Sequence, residues 1–224
     1  MSRFFQELNI CPFLKPEAEQ MIIDAKRRSK YRRYLFASTD VRTFLRKEMI
    51  SLFEEMKIFP ESLLAFGHIN DTNFEALQIV HSDVIYNDSR WKRVPFAFNW
   101  ELEDVNSSYT WWDTQDLKEC FPEEIVNQIV AHYGGAVHYG KRTTLGATVN
   151  LTSKEMQDIK SRMIKLETYN LKKLKPVLIN TIVPHSVFYK TDAEHRTLIS
   201  LRFPLDQIPS WEAALEIFKP FYEK

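Results

Sequence analysis

The order of its segments constrains the fold of this chain most. The first 60 residues read as helical, and residues 63 to 205 read as a series of short strands. Pro16 can open one helix, and Ser38-Thr39-Asp40 can cap a second. Few of the strand-like segments alternate with crossover helices, which counts against a parallel, doubly wound sheet.

Apolar alternation and aromatic or β-branched runs define the strand segments. They cover residues 63–69, 76–81, 94–102, 109–112, 176–183 and 196–203. A double-sheet antiparallel arrangement suits this pattern. We therefore predict a mainly β protein with flanking helices, folded as a double-stranded β-helix (jelly roll, cupin-like).

Nothing in the sequence marks a domain boundary. The chain has 224 residues with 5 glycines, no Gly/Ser-rich linker and no internal repeat, and this length suits one domain. We predict a single domain, 1–224. Its parts are a helical N-terminal part (1–60), a jelly-roll core (63–205) with helical insertions near 122–133 and 153–173, and a C-terminal helix (210–224).

Composition counts against some classes of protein. The formal net charge is zero, which counts against a general nucleic-acid binder because such proteins usually carry a basic excess. Cys11 and Cys120 form no CxxC motif, a usage typical of free thiols in a reducing compartment. We expect no secretory leader, since the first residues show no apolar segment followed by a small-residue cleavage site, and no apolar run reaches about 20 residues. We expect a cytoplasmic protein without a membrane segment.

The segment His81-Ser82-Asp83 carries the first sign of chemistry. On a strand, residues two apart point to the same face, so an imidazole and a carboxylate can reach one ion. Two histidines and one carboxylate form the facial triad of non-haem Fe(II) oxygenases. An H-x-D pair also arises by chance, and a pair without a metal is the alternative.

The strand at 196–203 carries the second sign. Its alternation puts Arg196, Leu198, Ser200 and Arg202 on one face. An arginine on a core strand is costly to bury unless an anion accompanies it. A dicarboxylate would supply that anion, because the guanidinium fork binds a carboxylate through two hydrogen bonds.

Together these segments resemble the Fe(II)/2-oxoglutarate-dependent dioxygenase superfamily, whose motif is H-x-D/E, a distal histidine and an arginine or lysine about ten positions later. The matching residues are His81, Asp83, His185 and Arg196, which follows His185 by eleven positions. The resemblance covers about residues 63–205. It implies that His81, Asp83 and His185 ligate iron and that Arg196 pairs with the distal carboxylate of 2-oxoglutarate. Arg202 is the rival for that carboxylate, since the alkylation-repair branch uses both arginines of an Arg-x5-Arg pair.

Five further residues are candidates for ligand contacts. Asn99 could contact the cosubstrate, or it could make a sheet hydrogen bond. Trp111 and Trp112 neighbour each other on a strand, so one could line a substrate pocket while the other packs in the core. Tyr86 and Arg90 follow the metal motif and could face the substrate.

The resemblance implies an enzyme that hydroxylates a small molecule or a side chain while 2-oxoglutarate and dioxygen become succinate and carbon dioxide. Three alternatives stay open. One is a non-catalytic jelly roll, and another is a cupin-like metal site that uses zinc or manganese without 2-oxoglutarate. The third is a nucleic-acid demethylase, against which net neutrality counts. The sequence names no substrate and no oligomeric state.

Overall fold

The structure of the chain is a computed structural model. It describes residues 2–10, 13–28, 33–69, 80–87, 90–103, 107–113, 136–138, 142–144, 147–149, 161, 163–189 and 195–222. The predicted insertion at 122–133 lies outside these residues.

Strands dominate the described part of the chain. The helices are α1 (Pro16–Arg28), α2 (Val41–Phe44), α3 (Lys47–Glu55) and α4 (Trp211–Phe218), followed by a 3-10 turn (Lys219–Phe221). The strands are β1 (Phe5–Glu7), β2 (Arg33–Ser38), β3 (Ser62–Ile69), β4 (His81–Asn87), β5 (Arg90–Arg93), β6 (Phe96–Glu101), β7 (Ser107–Asp113), β8 (Ala136–His138), β9 (Arg142–Thr144), β10 (Ala147–Val149), β11 (Ile164–Asn170), β12 (Val177–Asn180), β13 (His185–Tyr189) and β14 (His195–Arg202). None of the described helices is long and apolar enough to cross a membrane.

The strands form two main antiparallel sheets. The larger sheet has the order β1-β12-β6-β14-β3-β2, and the smaller sheet has the order β11-β7-β13-β4-β5 with β8 also paired to β4. Strands β9 and β10 form a separate pair. Two antiparallel sheets are what the sequence predicted, and the β-rich, jelly-roll-like fold class is confirmed.

The side chains of the larger sheet alternate between its two faces, so each face packs against a different part of the protein. One face packs against the helices in a core that includes Phe98, Trp100 and Ile199 from the sheet, with Phe53 and Phe218 from α3 and α4. All five side chains are at most 1% exposed. Removing this much aromatic and aliphatic surface from water anchors the helices to the sheet.

The other face of the larger sheet meets the smaller sheet. Val177, Ile179 and Leu198 of the larger sheet pack with Tyr109 and Trp111 of the smaller one. The Trp111 indole N–H donates to the carbonyl of Asn180 at 3.0 Å, which joins the sheets by a hydrogen bond as well. The two sheets therefore pack face to face, and polar side chains also lie between them.

The observed elements correct two details of the predicted layout. The N-terminal part is not purely helical, because β1 and β2 form the two edges of the larger sheet. The predicted helical insertion near 153–173 contains a strand, because β11 lies within it and pairs with β7. Local helical patterns gave way to long-range strand pairing in both cases. The predicted C-terminal helical segment (210–224) contains α4, capped by the Ser210 hydroxyl, which accepts from the Ala213 N–H at 3.1 Å.

Candidate metal centre

Two neighbouring strands of the smaller sheet bring His81, Asp83 and His185 together. β4 and β13 pair antiparallel, and His81 lies directly opposite His185 in the register. Asp83 follows two positions along β4 and points to the same face as His81, as the sequence alternation predicted. The intervening Ser82 instead hydrogen-bonds the Ile182 carbonyl at 2.8 Å.

The ligand atoms of these three residues converge. One imidazole nitrogen from each histidine and one carboxylate oxygen of Asp83 all lie within 4.8 Å of one another. The His81 Nε2 atom is 3.7 Å from Asp83 Oδ1, and the two imidazole centroids are 4.4 Å apart. Two neutral imidazoles and one carboxylate at this spacing can surround a divalent transition-metal ion.

His185 is held in the protonation state that metal binding needs. It is 2% exposed, and its Nδ1 lies 3.0 Å from the Val183 carbonyl. A carbonyl only accepts hydrogen bonds, so Nδ1 carries the proton and Nε2 keeps its lone pair. Burial, aided by the neighbouring His81, lowers the pKa of His185 to about 4. The imidazole is therefore neutral at physiological pH.

Asp83 is held by Arg202. The Arg202 Nη2 atom lies 2.8 Å from Asp83 Oδ2, while Oδ1 faces His81. Burial alone raises the pKa of the Asp83 carboxyl, but Arg202 and the two histidines outweigh it and keep that pKa below its usual value. One carboxylate oxygen is thus fixed by the arginine, and the other is directed at the histidines.

Arg196 has a carboxylate partner within the protein. Its Nε and Nη2 atoms lie 2.7 and 2.6 Å from Glu101 Oε1, and the side chains of Arg196 and Glu101 are 3% and 1% exposed. The Ser107 hydroxyl donates to the same Glu101 oxygen at 2.7 Å. The sequence analysis expected a cosubstrate carboxylate as the anion beside Arg196, whereas the described carboxylate beside it is Glu101.

Tyr109 lies between the two ion pairs. Its ring centroid is 5.7 Å from that of His185, and its hydroxyl accepts a hydrogen bond from Asn99 Nδ2 at 2.8 Å. Burial raises the pKa of Tyr109, and charges of both ion pairs act on it. The predicted Asn99 thus makes a hydrogen bond between the sheets and lies on the same side of the larger sheet as Glu101 and Arg196.

Several buried polar atoms around this region lack a hydrogen-bond partner among the described residues. Four of them lie on the face of β6 and β14 that meets the smaller sheet: Asn99 Oδ1, Glu101 Oε2, Ser200 Oγ and Arg202 Nη1. Asn99 and Ser200 are direct cross-strand neighbours. Buried polar atoms in folded proteins are normally paired. A cluster of unpaired ones beside three potential metal ligands indicates a binding site for a polar ligand.

The remaining predicted residues occupy different surroundings. Trp111 is fully buried and stacks on Phe4 at 5.5 Å between the ring centroids. Trp112 is half-buried and donates to the Ser186 hydroxyl at 2.9 Å. Tyr86 and Arg90 belong to the paired strands β4 and β5. Their contacts with a substrate stay predictions.

Sequence reasoning missed Glu101 and Tyr109. Glu101 ends an aromatic-rich strand at the same parity as Asn99, and a carboxylate on a buried strand was the available signal that Arg196 had an internal partner. Tyr109 was assigned to a strand without a role, because only the register between the neighbouring strands β7 and β13 shows that it lies near His185.

Comparison with known proteins adds a distant structural likeness. No protein-family model matches the chain, and no curated protein matches it. Crystal structures of HygX from Streptomyces hygroscopicus, with nickel and 2-oxoglutarate bound or with iron bound, are 12% identical, cover 89% of this chain and 81% of their own, and give a TM-score of 0.39. HygX with nickel, 2-oxoglutarate and hygromycin B bound is 10% identical, with 89% and 82% coverage and a TM-score of 0.36. Similarity at this level establishes neither a family nor an activity for the chain.

The fold and the cluster of side chains define the class of protein. It is an antiparallel, jelly-roll-like β protein with helices on one sheet and a His-Asp-His cluster, suited to a metal ion, on the other.

Proposed function

We propose that the chain is an Fe(II)- and 2-oxoglutarate-dependent dioxygenase that hydroxylates a small molecule or a side chain. The observation that carries this proposal is the convergence of two imidazoles and one carboxylate from adjacent strands, with ligand atoms within 4.8 Å of one another. Two histidines and one carboxylate with open positions are the ligand set typical of non-haem Fe(II) oxygenases.

In this proposal His81, Asp83 and His185 hold the iron. Both histidines offer Nε2: that of His81 faces Asp83 Oδ1, and that of His185 is left free by the hydrogen bond of Nδ1. The carbonyl of Val183 and the guanidinium of Arg202 orient the ligands from outside, the arrangement that tunes metal sites in general. The donor set suits a borderline divalent ion such as Fe(II).

The polar face between the sheets is the proposed site of 2-oxoglutarate. Arg196 and Arg202 are the candidates for its carboxylates, and Asn99 is the candidate for an amide contact. The unpaired atoms Arg202 Nη1 and Asn99 Oδ1 support a polar ligand here, because each loses solvation without gaining a partner in the protein.

Bound iron would supply the redox chemistry by which 2-oxoglutarate, dioxygen and a substrate C–H group give succinate, carbon dioxide and an alcohol. The contribution of the chain is to bind, orient and desolvate. The Arg202 guanidinium keeps Asp83 ionised and aimed at the histidines. The buried Tyr109 ring, 5.7 Å from that of His185 between centroids, covers the ligand with aromatic surface that excludes water.

A metal-binding jelly roll that does not use 2-oxoglutarate is the second candidate function. The specific observation that favours it is the Glu101–Arg196 pair, since Arg196 already has a carboxylate at 2.6 Å. In that case the ion would be zinc or manganese, and the arginine pair would be structural.

Turnover of 2-oxoglutarate distinguishes the two functions. Purified protein is incubated in air with Fe(II) and 2-oxoglutarate, and succinate is measured by chromatography. We expect succinate from the wild type, none from Asp83→Ala, and wild-type yield from the matched control Asp206→Ala, an exposed aspartate. A wild type that binds metal but releases no succinate, and whose absorption spectrum does not change on adding 2-oxoglutarate, would favour the second candidate.

The location and substrate also stay proposals. Two cysteines without a CxxC motif suit the reducing cytoplasm. The formal net charge of zero gives no electrostatic support for nucleic acid as the substrate.

A further inference from the structure

The two oxygens of Glu101 have opposite surroundings. Oε1 accepts hydrogen bonds from Arg196 Nε and from the Ser107 hydroxyl, each at 2.7 Å, and Arg196 Nη2 lies 2.6 Å from the same oxygen. Oε2 is buried and has no hydrogen-bond partner among the described residues. The carboxylate is thus anchored by one oxygen, and the other is available to a ligand or to a proton.

The charge on Glu101 restricts what can bind at Arg196. Glu101 and Arg196 neutralise each other in a site where both are at most 3% exposed. A second carboxylate brought to Arg196 would leave an uncompensated negative charge in the interior, which is costly. Two carboxylates that share a buried site avoid this cost by holding one proton between them.

We propose that Glu101 is a specificity-determining residue that admits a carboxylate to Arg196 only together with a proton, held on Glu101 Oε2. This inference rests on the proposed function and adds a linkage to it: 2-oxoglutarate binds with uptake of one proton from solvent. No covalent bond changes. The protonated Oε2 becomes a donor to the incoming carboxylate, while Oε1 keeps its contacts with Arg196 and Ser107.

The other groups around Glu101 are consistent with a proton there. The charged groups that act on it from the described elements are Arg196 on β14 and Glu103, two residues beyond the end of β6. Tyr109 on β7 is held protonated by burial and supplies no charge. Lys173 meets Glu101 through a backbone bridge and has an exposed side chain. Burial raises the pKa of Glu101, although Arg196 opposes that rise.

The test compares two 2-oxo acids that differ by one carboxylate. Metal-loaded protein is titrated anaerobically with 2-oxoglutarate and with 2-oxopentanoate by calorimetry between pH 7 and pH 9, in two buffers of different ionisation enthalpy. For the wild type we expect uptake of about one proton with 2-oxoglutarate and none with 2-oxopentanoate. The Kd for 2-oxoglutarate should then rise about tenfold per pH unit.

Glu101→Gln is the decisive variant, because glutamine keeps an acceptor oxygen for Arg196 and removes the charge. We expect its affinity for 2-oxoglutarate to be independent of pH and at least about tenfold tighter than the wild type at pH 9, with 2-oxopentanoate unaffected. The matched control Glu48→Gln, an exposed glutamate of α3, should behave as the wild type.

The outcomes separate this proposal from the function on which it rests. Binding of 2-oxoglutarate by the wild type without proton uptake overturns the role of Glu101 and leaves the proposed function standing. So does a Glu101→Gln variant that changes the affinity for both oxo acids equally. If the variant does not fold, the proton count of the wild type decides alone. Absence of binding for either oxo acid, in wild type and variant, overturns both.

Discussion

At the scale of single residues, two arginines on one strand have different partners. Arg202 contacts Asp83 at 2.8 Å, and Arg196 contacts Glu101 at 2.6 Å. The Arg202–Asp83 pair includes a proposed metal ligand. The Arg196–Glu101 pair lies on the face of the larger sheet where a cosubstrate would bind. Arg202 is therefore expected to position the ligand Asp83. Arg196 is expected to bind the cosubstrate to an extent that depends on the charge of Glu101.

Replacing Arg202 by methionine tests its positioning role. The variant keeps an apolar stem but leaves the buried Asp83 without its guanidinium, which frees Oδ2 and removes the charge that keeps the carboxylate ionised. We expect the affinity for Fe(II) to fall about 10- to 100-fold, the usual cost of losing an outer partner of a ligand. Anaerobic competition titration with a chelating dye measures it.

The control for Arg202→Met is Arg42→Met, which removes an exposed arginine paired with Glu54 at the surface. Its Fe(II) affinity should equal that of the wild type. If the Fe(II) affinity of Arg202→Met stays within about twofold of the wild type, Arg202 does not position Asp83 for metal binding.

The pH dependence of stability tests the burial of His185. Without metal, its pKa is about 4 in the folded protein, against 6.5 for an unperturbed histidine. Between these values the unfolded chain binds more protons, so acidification from pH 6.5 to pH 4 lowers the free energy of unfolding. The total loss from this residue is about 3 kcal/mol, at 1.4 kcal/mol per pKa unit.

Urea unfolding of the chelator-treated protein at a series of pH values measures this loss. The His185→Gln variant has no group to protonate at this position. Between pH 6.5 and pH 4 its free energy of unfolding should therefore fall by about 3 kcal/mol less than that of the wild type. Equal pH dependence of the wild type and the variant would show that His185 is not titrated by unfolding.

At the scale of elements, the central strands could be predicted and several edge strands could not. β14 was expected at 196–203 and is observed at His195–Arg202, because its alternation matches its two buried faces. β1, β2 and β11 were missed. Each lies at an edge of its sheet, where burial is one-sided and pairing with a distant strand decides the structure. β11 even exposes Ile164 and Leu166, which hides the alternation.

The helix-facing side of β14 provides a test of the layer arrangement. Ile199 is fully buried in the core between the larger sheet and the helices, so Ile199→Ala should lower the free energy of unfolding by about 2–5 kcal/mol. The matched control Ile164→Ala changes a residue that is 63% exposed and should cost at most about 0.5 kcal/mol. Urea unfolding of both variants measures the difference, and equal values would contradict the layering.

At the scale of the whole molecule, the candidate site is a product of the packing of two sheets. His81, Asp83 and His185 belong to the smaller sheet, while Asn99, Glu101 and both arginines belong to the larger one. The sequence could supply the H-x-D spacing and the arginine face, because both are local patterns. It could not supply Glu101 as the partner of Arg196, since that contact joins residues 95 positions apart.

Binding of one metal ion by the three proposed ligands is the central claim, and anomalous diffraction tests it most directly. Crystals soaked anaerobically with Fe(II) should show one strong iron peak in contact with His81, Asp83 and His185. A peak elsewhere, or iron that leaves any of these three side chains out of its coordination, would contradict the account.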